Sequence, residues 1–112
     1  MSDQEVFVLA WILKHGEASA VSSHFHDAFH AEFGGKRKPA NYGASLVYKA
    51  MTCLRKMYKD ATICRGRVSL CEHLVGMPNW VYTYSLCDLQ KINARIAVRV
   101  HERKFDIPDK EL

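Results

Sequence analysis

The sequence predicts an α+β fold, mostly α: three N-terminal helices, a β-hairpin and a C-terminal helix in a single domain spanning residues 1–112. Three observations carry this. Apolar residues recur at helical spacing in successive segments up to Lys59. After Asp60 the pattern changes to β-forming runs on either side of the turn Gly76-Met77-Pro78-Asn79. From Asp88 a helical stripe returns through Leu89, Ile92, Ile96 and Val100.

The first helix opens at Ser2, which with Glu5 makes a Ser-x-x-Glu capping box, and closes at Gly16. Val6 to Leu13 are apolar all round, so this helix belongs at the centre of a core or in a contact between chains. The run is far shorter than the roughly 20 residues that cross a bilayer. The Ser-Asp-Gln-Glu ahead of it is not the basic region of a secretory signal. Cys53, Cys64, Cys71 and Cys87 show no Cys-x-x-Cys spacing, so reduced thiols in a cytoplasmic protein are expected. Ser19 is the expected cap of the second helix, about residues 20–33, where Phe25, Phe29 and Phe33 recur beside Val21 and Ala28. Gly34-Gly35 stops it.

The loop GGKRKPANYG leads into the third helix, residues 44–59. At roughly 100° per residue, Leu46, Val47, Ala50, Cys53, Leu54, Met57 and Tyr58 fall on one face. Ser45, Tyr48, Lys49, Thr52, Arg55, Lys56 and Lys59 fall on the other. No acid interrupts that polar face before Asp60. A helix shaped only for solubility would mix Glu with Lys, since each i,i+4 pair adds a few tenths of a kcal/mol. From Gly34 to Arg67 the chain holds nine Lys/Arg against Asp60 alone, +8 in 34 residues. Residues 88–104 add a further +3, five basic side chains against two acidic. Charge segregated in this way forms a patch for a polyanion.

The hairpin pairs RVSLCEHLV (67–75) with WVYTYSL (80–86). The C-terminal helix is expected over about 88–104. Ile96, Val98 and Val100 also alternate as a strand would within 94–103, and helix is preferred because its stripe is longer. Residues 105–112 read as a frayed tail.

This order of elements resembles a winged helix-turn-helix domain, the DNA-binding fold of many small transcription regulators. The resemblance covers about residues 3–86. It is carried by LVYKAMTCLRKMYKDATI (46–63), similar to the third helix of such domains, and by RVSLCEHLVGMPNWVYTYSL (67–86) as the wing. A looser resemblance, through the apolar Trp-containing first helix, is to small enterobacterial activators related to the carnitine-operon regulator. The ten-residue loop is longer than the tight corner of a helix-turn-helix, and the wing tip carries no Arg or Lys. The resemblance implies a sequence-specific double-stranded DNA-binding transcription regulator, nucleoid-associated, with the third helix in the major groove. It places Ser45, Tyr48, Lys49 and Thr52 at base edges, with Arg55, Lys56 and Lys59 along the backbone. Lys36, Arg37, Lys38, Arg65 and Arg67 would meet phosphates. Because one module buries limited surface, a homodimer is expected. A protein partner could use the apolar first helix or the aromatic hairpin.

Other chemistries have less behind them. His26 and His30 stand at i,i+4, the spacing of a metal-binding pair, with Cys64, Cys71 or His73 as further donors. A histidine-rich helix surface is the simpler account, and no metal or other cofactor is expected. The chain has no glycine-rich phosphate loop, nucleophile elbow or paired carboxylates, so recognition without a reaction is expected. Two rival readings remain. One is a protein–protein interaction module that binds a regulatory partner or an acidic protein. The other is RNA binding, for which aromatics interleaved with Arg on an exposed sheet face would be needed.

Overall fold

The structure, a computed structural model, describes residues 1–19, 22–34, 43–69 and 80–109, with side chains throughout except at 43–48. The elements are α1 (Asp3–His15), β1 (Ala18–Ser19), α2 (Ser23–Phe33), α3 (Gly43–Lys59), β2 (Cys64–Ser69), β3 (Trp80–Ser85) and α4 (Asp88–Val100). This is an α+β fold, mostly helical. The strands form one antiparallel sheet in the order β1-β3-β2.

α1 is the central element, as its all-round apolar character requires. Ser2 accepts a hydrogen bond from the Glu5 backbone N–H, and the Glu5 carboxylate takes one back from Ser2 N–H. Gly16 ends the helix in a left-handed turn, φ 90°, the conformation that glycine adopts without strain. Between these caps Val6, Phe7, Val8, Leu9, Trp11 and Ile12 are all buried. The Phe7 ring lies 5.5–6.5 Å from those of Trp11, Phe25, Phe29, Phe33 and Phe105, and edge-on to the last three. Edge-on pairs suit the ring quadrupoles.

The second helix starts later than its sequence suggests. Ser22, whose hydroxyl accepts from the Phe25 N–H, is the cap of α2. Ser19 instead belongs to β1, with Ala18 opposite Tyr84 and Ser19 opposite Thr83. A two-residue strand is too short to leave a periodic pattern. α3 runs to Lys59 and turns out through Ala61, φ 59°. There Thr62 N–H reaches Met57 C=O and Ala61 N–H reaches Tyr58 C=O, which satisfies carbonyls that the helix leaves open.

β2 begins at Cys64, three residues before its expected start, so Arg65 and Arg67 lie within the sheet. The expected strand beyond Ser69 and the turn at Gly76, Pro78 and Asn79 lie outside the described residues. Gln90 knits the junction. Its side-chain oxygen accepts from Cys87 N–H and Cys64 Sγ–H, and its amide donates to Ala61 C=O.

α4 confirms helix over the ambiguous stretch but stops at Val100, short of residue 104. The segment after it is docked, where fraying was expected. Phe105 packs on Phe7 and Phe33, Ile107 is buried, and Lys14 Nζ donates to the Ile107 carbonyl at 2.6 Å. His101 Nε2 and Arg103 Nη1 bond the Asp3 carboxylate at 2.8 and 3.2 Å. These bonds, His101's first, hold the Asp3 carboxyl below its ordinary value of 3.8. A lowered folded-state value stabilises above the unfolded one and is lost as pH falls through it. Asp3→Asn should therefore lower the melting temperature at neutral pH and lose less on acidification below about pH 4. Melts of both proteins across that range check this. Among the described residues no helix is long and apolar enough to cross a membrane.

Candidate nucleic-acid interface

The described half of α3 divides as helical spacing dictates. Ala50, Cys53, Leu54 and Met57 are buried against the core, whereas Lys49, Thr52, Arg55, Lys56 and Lys59 are exposed. Burial pushes the Cys53 thiol up to about 11, so it stays protonated and unreactive at neutral pH. Tyr58, expected on the buried face, lies at its margin and is exposed.

The turn after α3 folds β2 back beside the helix. The result is a groove of about 600 Å³ lined by Thr52, Arg55, Lys56, Tyr58, Lys59, Asp60 and Arg65. Five of the residues expected to contact a polyanion thus share one surface, although Arg65 comes from a different element. Lys56 is the least available of them. Its ammonium lies 3.3 Å from Asp60 and 3.6 Å from Glu5, and these partners, Asp60 first, raise its pKa. Glu5 is an acid of α1 that the third helix alone could not reveal. Lys49 faces a smaller cleft of about 230 Å³ with Ser2, Gln4, Glu5, Thr52, Cys53 and Lys56.

From this groove a ladder of rings and guanidiniums runs along the sheet. Arg65 is sandwiched between Tyr58 and Tyr82, 4.1 and 3.9 Å from their ring centres. Arg67 lies 4.3 Å from the Trp80 ring centre and 5.9 Å from that of Tyr82. The register explains the order: Arg65 pairs with Tyr84, Arg67 with Tyr82 and Ser69 with Trp80, all on one face. Tyr84, deepest in this series, is buried, while Tyr82 and Trp80 are half-buried. The rings restrain the two guanidiniums, and each contact is worth about 0.5–1 kcal/mol at an exposed site. Tyr58, Trp80 and Tyr82 were not among the expected site residues. The alternation Trp80-x-Tyr82-x-Tyr84 is visible in the sequence, but a partner strand starting at Arg67 does not set the arginines opposite it, as the strand from Cys64 does.

Comparison with protein-family models, curated proteins and solved structures gives no match.

Lys36, Arg37 and Lys38 lie outside the described residues, and the side chains of Ser45 and Tyr48 are likewise not described. His26 and His30 do share one side of α2, but that side is buried, in contrast to the histidine-rich surface expected. Gly34 follows where any Cβ would collide with the His30 ring. Among the described residues no group of three or more His, Cys, Asp or Glu is placed to hold a metal ion. Cys71 and His73 lie outside them, and Cys64 bonds Gln90.

Proposed function

We propose that the chain is a winged-helix, sequence-specific double-stranded DNA-binding transcription regulator that works in the cytoplasm, on the nucleoid. The observation that carries this reading is the groove in which Thr52, Arg55, Lys56 and Lys59 of α3 meet Arg65 of β2. The element order supports it: helix, short strand, two helices and two strands, with β1 and β2 flanking β3 and the third helix exposed beside the sheet. In this reading α3 lies in the major groove, with Lys49, Thr52, Ser45 and Tyr48 at base edges. Arg55, Lys59, Arg65 and Arg67 grip phosphates, and the loop Lys36, Arg37 and Lys38 adds to them. Lys56 contributes less, because Glu5 and Asp60 already claim its charge. The protein binds and performs no reaction, and acts as a homodimer.

One observation favours a second reading. The ladder from Tyr58 to Trp80 places rings between arginines on a sheet face, which is how single-stranded nucleic acids, RNA among them, are stacked and held. Fluorescence anisotropy across a salt series, with a mixed-sequence duplex and a single strand of equal length, separates the two. The duplex should bind more tightly. The triple variant Arg55→Ala, Lys59→Ala, Arg65→Ala should flatten the log–log salt slope by about three units. Preference for the single strand would favour the second reading, and binding to neither at low salt would end both.

A further inference from the structure

When α4 is seated on α1, one of its sides is left uncovered by the described residues. Ala94 is buried, and Ala97 and Val98 are half-buried against the core. On the opposite side Leu89, Ile92, Ile96 and Val100 are 67, 53, 56 and 72 % exposed. Their spacing of three, four and four residues sets them in a single row along the helix. A lone exposed aliphatic needs no explanation, whereas four in a row present about 400 Å² of apolar surface, a patch of the size that marks an interaction site. Met1, itself exposed, lines the same hollow as Val100 and extends the row. The helix that carries it is fixed at both ends, by Gln90 with Cys87 and Ala61, and by His101 with Asp3.

We infer that this row binds a second copy of the chain, α4 against α4. The area fits. Two rows contribute about 800 Å² of apolar surface, and Asn93 and Arg99 beside each row bring the total to roughly the 1,000 Å² that a specific interface needs. The centre of the patch carries no charge, as the buried centre of such an interface requires. The flanking charges allow the same pairing. At 100° per residue, Lys91, Arg95 and Arg99 lie along one edge of the row only, and Gln90, Asn93 and Ala97 along the other. With the two α4 axes parallel, each basic edge meets its partner's uncharged edge, so the rows close without cation facing cation. The pairing deepens the DNA reading, on which it rests for its purpose: it fixes the spacing of two α3 helices and hence of two half-sites.

The test is sedimentation equilibrium of the full chain at micromolar concentration without nucleic acid, in low and high salt. Twice the mass of one chain is expected in both, because an apolar contact is not screened. Ile96→Glu and Ile92→Glu change exposed side chains, so each should sediment as a monomer with an unchanged circular dichroism spectrum. A monomeric wild type would overturn the inference, as would variants that stay dimeric. A monomer that co-sediments with anionic phosphatidylserine vesicles, and loses this in Ile96→Glu, would assign the row to a lipid surface and overturn it equally. Because nucleic acid is absent, a monomeric result leaves duplex binding to its own titration. A dimer that binds no duplex would overturn the proposed function instead.

Discussion

Phe7→Ala is expected to leave the chain largely unfolded in the absence of a stabilising ligand. The ring is fully buried and touches aromatic neighbours on α1, on α2 and in the segment after α4. Truncating a buried Phe costs about 3–5 kcal/mol through lost transfer energy and the cavity left behind. Ring pairs add about 0.5–1.5 kcal/mol each beyond area. A domain of this size, with a small core, has about 5–15 kcal/mol in total, and the lower part of that range applies to small chains. Urea denaturation followed by circular dichroism reads the result, with Phe7→Leu as the milder companion. A loss below about 1 kcal/mol would mean that the centre of the core lies elsewhere.

Tyr82→Ala carries the largest expected effect on binding outside the cations themselves. One ring contacts both Arg65 and Arg67, so its removal leaves each guanidinium with one ring in place of two, Tyr58 for Arg65 and Trp80 for Arg67. Each is then less restrained before it meets a phosphate, at part of the roughly 1 kcal/mol that fixing a long side chain costs. Duplex affinity should fall about fivefold, while Tyr82→Phe, which keeps the ring, should bind as the wild type does. Arg67→Lys tests the same point from the other partner, since an ammonium cannot stack as a planar guanidinium does. If Tyr82→Ala binds normally while Arg65→Ala does not, the arginines need no holding and the ladder has another use.

Much of this was legible in the chain because it is local. The capping box at Ser2 and Glu5, the stop at Gly16 and the division of α3 into buried Leu54 and exposed Arg55 follow from spacing alone. What was missed depends on partners distant in sequence. β1 exists only because β3 is there to pair with it, and so by local sequence Ser19 reads as a cap. Phe105 and Ile107 dock because α1 and α2 offer them rings and donors, and a short polar stretch does not advertise that. Glu5 reaches Lys56 across two helices and removes charge from a face that appeared wholly basic. The site divides in the same way. Thr52, Arg55 and Lys59 could be read from one helix, but Tyr82 between two arginines needs the register of two strands.

β1, the shortest element, has the longest reach. It sets Ala18 beside Tyr84, and the Thr83 hydroxyl donates to the Glu17 carboxylate at 2.9 Å, 66 positions away along the chain. Contacts between such distant partners close a large loop, and the entropy of that closure is lost before any pairing returns it. They are therefore expected to form late in folding, after α1 to α3 have gathered and β2 has met β3. Interactions that form after the rate-limiting step govern how fast a folded chain comes apart and leave the speed of assembly almost unchanged. In kinetic terms β1 is then expected to act as a latch, two residues at the edge of the sheet that set the lifetime of the native state.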